Sequence, residues 1–97
     1  MSYAFHPEAE SEFSEAITYY ESCQAGLGLD FALEVERVIQ NILAQPITWP
    51  ILEDDVRRCL THRFPYGVLY CIEGKDILIL AVMHLHRDPD DWKERRP

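Results

Sequence analysis

The chain lacks several things, and each shortage narrows what it can be. No apolar run approaches the ~20 residues that a membrane helix needs, so no membrane role is expected. The N-terminus, MSYAFHPEAE, has no basic stretch followed by an apolar one. No secretory signal is therefore read there, and a cytoplasmic location is expected. Cysteines are few: Cys23, Cys59 and Cys71, an odd count without a C-x-x-C pair. That argues against a zinc site and against a disulfide framework. Repeats and low-complexity segments are missing. Basic residues are scarce, nine against seventeen acidic ones, for a net charge of −8. Such a composition is a poor match to a protein built to hold dense phosphate.

What is present suits a small globular unit. The 97 residues, 47% of them hydrophobic, suffice for one core, and the chain reads as a single domain over 1–97. The charge is divided unevenly. Residues 1–55 hold eleven carboxylates and one cation, Arg37, whereas residues 56–97 hold six carboxylates and eight cations. The asymmetry points to a surface that meets an anionic or acidic partner, or to an acidic helical half that keeps the protein in solution.

Periodicity sets the elements. Tyr3-Ala4-Phe5 alternates briefly. Pro7 followed by Glu8, Glu10 and Glu12 marks a helix start, with Ala9, Phe13, Ala16, Ile17 and Tyr20 on one face. Ala25-Gly26-Leu27-Gly28 reads as a tight turn into a second helix, Asp30 to Ala44, whose apolar face is Phe31, Val35, Val38, Ile39 and Ile42. Ile47 to Asp55 reads as a loop, with Trp49 and Ile51 or Leu52 tucked against the core. Three strands are predicted: Val56–His62, Tyr66–Ile72 and Asp76–His84. Glu73-Gly74-Lys75-Asp76 joins the last two as a hairpin turn. The segment ILILAVM is apolar on both faces and marks a central strand covered on each side, by the helices on one and by the final helix or a partner on the other. Asp88-Pro89 with Asp90 and Asp91, then Lys93, Arg95 and Arg96, gives a short C-terminal helix by its end signals. Counting from the turn at Arg63–Pro65 roughly pairs Cys59 with Cys71, where small buried hydrophobes are a better account than a disulfide. His84 and His86 lack a third ligand at sensible spacing, so no metal is expected. The fold class is α+β: a short N-terminal strand and an antiparallel helical hairpin packed on a curved antiparallel sheet, in the order β-α-α-β-β-β, closed by a short helix.

The run Arg63-Phe64-Pro65-Tyr66-Gly67-Val68-Leu69-Tyr70, the apolar strand ending Val82-Met83-His84, and the stretch from Arg87 through Pro89 and Trp92 to Arg95 together resemble the RelE/ParE superfamily. Its members are toxins of bacterial toxin–antitoxin pairs, often described as plasmid-stabilisation proteins. The resemblance covers nearly the whole chain, helical hairpin included. It implies a growth-inhibiting toxin silenced by a cognate antitoxin, in a toxin–antitoxin hetero-oligomer, with no cofactor. RelE-like members cleave mRNA on the ribosome, and ParE-like members poison DNA gyrase.

Metal-free RNA cleavage needs several cations on one phosphate and groups that exchange protons. The resemblance puts Gly67 where RelE-like nucleases carry an arginine, and Trp92 near their assisting tyrosine. Arg58 and Arg87 match basic positions, and His62 is the remaining titrating candidate. If the chain is a nuclease, its catalytic set is Arg58, His62 and Arg87. The FPYG variant and the acidic composition favour the ParE-like reading, with a protein target. That reading assigns Arg63, Arg87, Trp92 and Arg95 to target binding, and Tyr19, Arg63 and Arg87 to the antitoxin. Exposed ion pairs that merely pin loops, and a Trp92 that merely packs the last helix, are the plainer alternatives. A third possibility is a non-toxic relic that only binds its antitoxin.

Overall fold

A computed structural model describes residues 1–87 and 89–96. In chain order it holds β1 (Tyr3–Phe5), α1 (Pro7–Cys23), α2 (Leu27–Ala44), β2 (Ile51–Glu53), β3 (Val56–Leu60), β4 (Tyr66–Glu73), β5 (Asp76–His84) and a 3-10 turn at Lys93–Arg95. The five strands form one sheet in the order β1-β5-β4-β3-β2. β1 runs parallel to β5, and β2 to β5 form an antiparallel meander. The expected α+β architecture is therefore present. Two details differ. Ile51–Glu53, read as loop, is a short edge strand. Ile51 and Leu52 are exposed rather than tucked in, and only Trp49 packs on the core.

Helix α1 begins where Pro7 needs no hydrogen bond, and His6 Nδ1 accepts from the backbone N–H of Glu8 at 3.1 Å. The hairpin turn uses its two glycines differently. Gly26 takes φ 89°, the left-handed conformation that ends the turn. Gly28 lies inside α2 and is buried. A Cβ there would stand 2.7 Å from the Ile17 carbonyl oxygen and 2.9 Å from Glu21 Cβ. Its role is close approach of the two helices rather than turning. The Glu21 carboxylate accepts from the N–H groups of Gly26 and Gly28 at 3.0–3.1 Å, so α1 caps α2. Gly28→Ala is expected to lower stability by up to about 2 kcal/mol. The 1–3 kcal/mol of overpacking outweighs the ~1 kcal/mol gained in helix propensity. A urea titration followed by circular dichroism checks it.

The helices cover one face of the sheet. Their side of the core joins Ala9, Ala16, Phe31, Val35, Val38, Ile39 and Ile42 to Val68, Tyr70, Ile77, Ile79 and Val82. Phe31 centres an aromatic group with Phe13, Tyr20, Phe64 and Tyr66, ring centroids 4.9–6.0 Å away. Tyr70, on the same face as Tyr66, donates its hydroxyl to the Pro46 carbonyl at 2.6 Å and anchors the segment after α2. Burial pushes that phenol's pKa up to about 12.

The opposite, outer face has its own core of Val56, Leu69, Cys71, Leu80, Ala81, Met83 and Trp92. The C-terminal segment supplies the cover: Trp92 is 2% exposed. The helix expected there is only a set of turns and one 3-10 turn, and its expected capping residue, Asp88, lies outside the described residues. Strand β5 changes parity at a bulge. Leu69 opposes Ala81 while Tyr70 opposes Ile79, so Leu80 is the extra residue. Ile77 and Ile79 before it, and Val82 after it, all reach the helices, while Leu80 and Ala81 both face outward.

The register corrects the cysteine pairing. Cys59 opposes Val68, not Cys71, because the connection from β3 to β4 runs from Thr61 to Pro65. Cys59 lies with the helix-side core and Cys71 with the outer core, so the sheet separates them. All three thiols are free. Burial raises the pKa of Cys59, and burial, reinforced by Glu73 and Asp55, pushes Cys71 up to about 11. At pH 8 iodoacetamide is expected to label only the exposed Cys23 in the native protein, and all three after denaturation, as read by mass spectrometry.

Candidate functional site

Strand alternation places the arginines of β3. Arg57 points to the helix side, where Nη1 donates to the carbonyls of Trp49 at 2.7 Å and Ile47 at 3.2 Å. Arg58 points outward between Val56 and Leu60. Its stem crosses β4 at Gly67: a Cβ on that glycine would lie 3.1 Å from Arg58 Cδ and 3.2 Å from Cγ. The missing side chain at 67 is what lets Arg58 lie there.

Arg58 borders two depressions. One, of about 220 Å³, lies on the outer face between β3–β5 and the C-terminal segment, and Arg87, His84, Met83, Leu85, Trp92 and Lys93 also line it. The other, of about 490 Å³, lies between α2 and β2–β3, where Arg58 is joined by Arg37, His62, Trp49, Ile51 and Leu60. Arg58 thus shares one depression with Arg87 and the other with His62. Arg63 stands elsewhere, beside α2, 3.4 Å from Asp30 and with its guanidinium carbon 5.3 Å from the Phe64 ring centroid. Tyr19 is exposed on α1, ring to ring with Tyr20; the neighbouring Cys23 raises its pKa.

Most cations have partners. Arg87 lies 3.7 Å from Glu12 and 3.5 Å from Asp91. Lys93 lies 3.2 Å from Glu53 and 2.8 Å from Asp90, contacts that raise its pKa. Arg96 pairs with Asp54 and Asp55. Arg95 is the most enclosed. Its Nη1 and Nη2 donate to Glu12 Oε1 and Oε2 at 2.7 and 2.9 Å, and Nη1 also donates to the Leu80 carbonyl at 3.0 Å. Glu12 Oε1 accepts from Val82 N–H at 3.2 Å. β1 stops at Phe5, opposite Ile79. The Glu12–Arg95 pair supplies acceptor and donor to the next stretch of β5, where a longer strand would have done so. The bonds to Glu12 hold the Arg95 pKa above its usual value. Neither Arg95 nor Trp92 offers its tip to a partner in this arrangement.

Sequence reasoning passed over two carboxylates. Glu12 ties α1, β5 and the C-terminal segment together. Glu34, 6% exposed, accepts from the backbone N–H groups of His62 and of Arg63, the latter at 2.8 Å, and so fixes the β3–β4 connection. A signal existed for both. Glu34 sits within the apolar stripe Phe31, Val35, Val38, and Glu12 lies three residues after Ala9 and four before Ala16, so each carboxylate occupies a core-facing position.

The imidazoles that line the two depressions are divided between them. The outer depression has one imidazole, His84, whose Nδ1 already accepts from His86 N–H at 3.0 Å. Gly67 carries no charge, Trp92 is buried, and His62 lines the other depression. Among the described residues no group of three or more His, Cys, Asp or Glu is placed to hold a metal ion, and no helix is long and apolar enough to cross a membrane.

A family model described as "ParE toxin of type II toxin-antitoxin system, parDE" matches residues 3–89. Among solved structures, one titled "Chromosomal ParDE TA system from P. aeruginosa" is similar with a TM-score of 0.62 at 17% identity, covering 87% of this chain and 95% of that one. Comparison with curated proteins gives no match.

Proposed function

Because the chain belongs to the ParE toxin family of type II toxin–antitoxin systems, we propose that it arrests growth by inhibiting a protein target, DNA gyrase, rather than by cutting RNA. A cognate antitoxin is its partner, and we assign Tyr19, Arg63 and Arg87 to that contact. The observation that carries the reading is the separation of the nuclease candidates. Arg58 and Arg87 share a depression whose one imidazole, His84, has its Nδ1 engaged and whose carboxylates Glu53 and Asp90 hold Lys93, while His62 lies outside it. General acid–base cleavage of a ribose phosphate requires proton donor and acceptor within reach of the same phosphate. Gly67 and the buried Trp92 supply neither. Inhibition of a protein target needs only a complementary surface.

The test is a supercoiling assay with purified gyrase beside a translating lysate. The reading expects supercoiling to fall in proportion to added toxin while transcripts stay intact. Cleaved transcripts that become intact with Arg87→Ala, at unchanged supercoiling, contradict it.

A further inference from the structure

We infer that the ridge at Arg58 is the surface with which the toxin grips its protein target, through a target segment that presents a carboxylate between apolar side chains; the inference rests on the target being a protein. Arg58 stands apart from the other arginines. Its guanidinium has no ion pair and no hydrogen bond with any described residue, in a chain where carboxylates outnumber cations by almost two to one. Its stem nevertheless lies close over the bare backbone of Gly67. A guanidinium with its stem packed and its tip unpaired suits a partner's carboxylate, and the packing reduces the side-chain freedom lost on binding.

The surroundings suit an apolar neighbour on each side of that carboxylate. Ile51, Leu52, Leu60 and Leu85 are 55, 41, 46 and 43% exposed, and all border the two depressions that flank Arg58. Arginine is enriched at interface hot spots, and the exposed aliphatic groups around it supply apolar area for a partner to bury. A nucleic-acid backbone fits worse. Glu53 and Asp90 line the outer depression and hold Lys93, so a chain of phosphates would meet carboxylates there.

Charge also decides which protein partner sits here. The two helices hold eight carboxylates and one cation, Arg37, so the helical layer attracts a basic segment. Arg58 itself points to the other face of the sheet, where its unpaired guanidinium takes a single carboxylate. The carboxylate-bearing segment is assigned to the target and the antitoxin to the helical layer, with Arg87, 3.7 Å from Glu12 of α1, at the border between them.

The test titrates toxin expression against growth for the wild type, Arg58→Glu, Arg58→Lys, Gly67→Val and Lys75→Glu, with toxin levels quantified and antitoxin co-purification as the check on folding. Lys75 is an exposed hairpin cation, so Lys75→Glu makes the same charge change away from the ridge. The amount of toxin needed for arrest is expected to rise about 30-fold with Arg58→Glu. It should rise by several-fold with Gly67→Val, which displaces the stem and keeps the charge, and remain near wild type with Lys75→Glu. Arg58→Lys is expected to fall between, since it keeps charge and loses the fork. All variants should still co-purify with the antitoxin. Arrest by Arg58→Glu at wild-type levels overturns the inference. So does loss of antitoxin binding in Arg58→Glu, which assigns the ridge to the antitoxin. A wild type that arrests growth with gyrase supercoiling unaffected overturns the gyrase reading alone, because the Arg58 comparison is scored on growth.

Discussion

Arg95→Ala is expected to destabilise the protein by about 3–5 kcal/mol, the cost of leaving a buried carboxylate without its partner. Arg95 and Glu12 have side chains only 8 and 9% exposed, and their bidentate contact lies at 2.7 and 2.9 Å. The loss is larger than for a surface pair, which contributes 0–1 kcal/mol. The Leu80 carbonyl loses a donor as well, and Glu12 keeps only the Val82 N–H and the longer Arg87 contact at 3.7 Å. Much of the effect should be local. The pair ties residues 89–96 to α1, so hydrogen exchange in that segment and around Leu80–Val82 should accelerate more than in α2. A double exchange, Glu12→Arg with Arg95→Glu, distinguishes this site from an ordinary ion pair. Reversal puts a carboxylate beside the Leu80 carbonyl and a guanidinium beside the Val82 N–H, so like poles meet. The exchange is expected to be at least as destabilising as the single change. Urea titration gives the magnitude, and recovery of wild-type stability by the exchange contradicts the account.

Trp92→Ala is expected to cost a similar 3–5 kcal/mol, from lost burial and the cavity left behind. Among the described residues the indole is the only aromatic in the outer core, where it packs with Leu69, Cys71, Leu80, Ala81 and Met83. Without it these side chains face water and the protein should self-associate. Trp92→Phe should cost much less. The Trp92 Nε1 has no hydrogen-bond partner among the described residues, so phenylalanine forfeits volume and no bond. Thermal melts order the variants, with wild type highest, then phenylalanine, then alanine. A Trp92→Ala protein with wild-type Tm and no new dye-accessible apolar surface contradicts the role given to the C-terminal segment.

Legibility in the sequence followed the strength of the local signal. Asp76–His84 is read at its observed bounds because its apolar run lies between a glycine turn and a histidine cluster. α2 is legible from Phe31, Val35, Val38, Ile39 and Ile42, all of which are buried. The bulge at Leu80 is invisible for the reason that made the strand obvious. A segment apolar on both faces has no alternation for an extra residue to interrupt. Gly28 passes for a turn residue because glycine says nothing about which neighbour is close. The pairing of β3 with β4 depends on where the connecting loop begins, and one misplaced end sends Cys59 and Cys71 to the wrong strand positions. For the site, Arg58 is legible as a basic residue on a strand, yet its isolation is not. Which arginines meet carboxylates is settled by contacts such as Glu12 with Arg95, 83 residues apart in the chain. Glu12 and Glu34 look like solvent-facing charge until the helix stripe is drawn through them.

The most direct measurement is controlled expression of the chain alone and with its cognate antitoxin, scored together for growth, DNA-damage signalling and transcript ends. The account predicts arrest with a DNA-damage response and intact transcripts, all relieved by the antitoxin. Arrest with transcripts cut during translation and no DNA-damage response, or unimpaired growth at full expression, contradicts it.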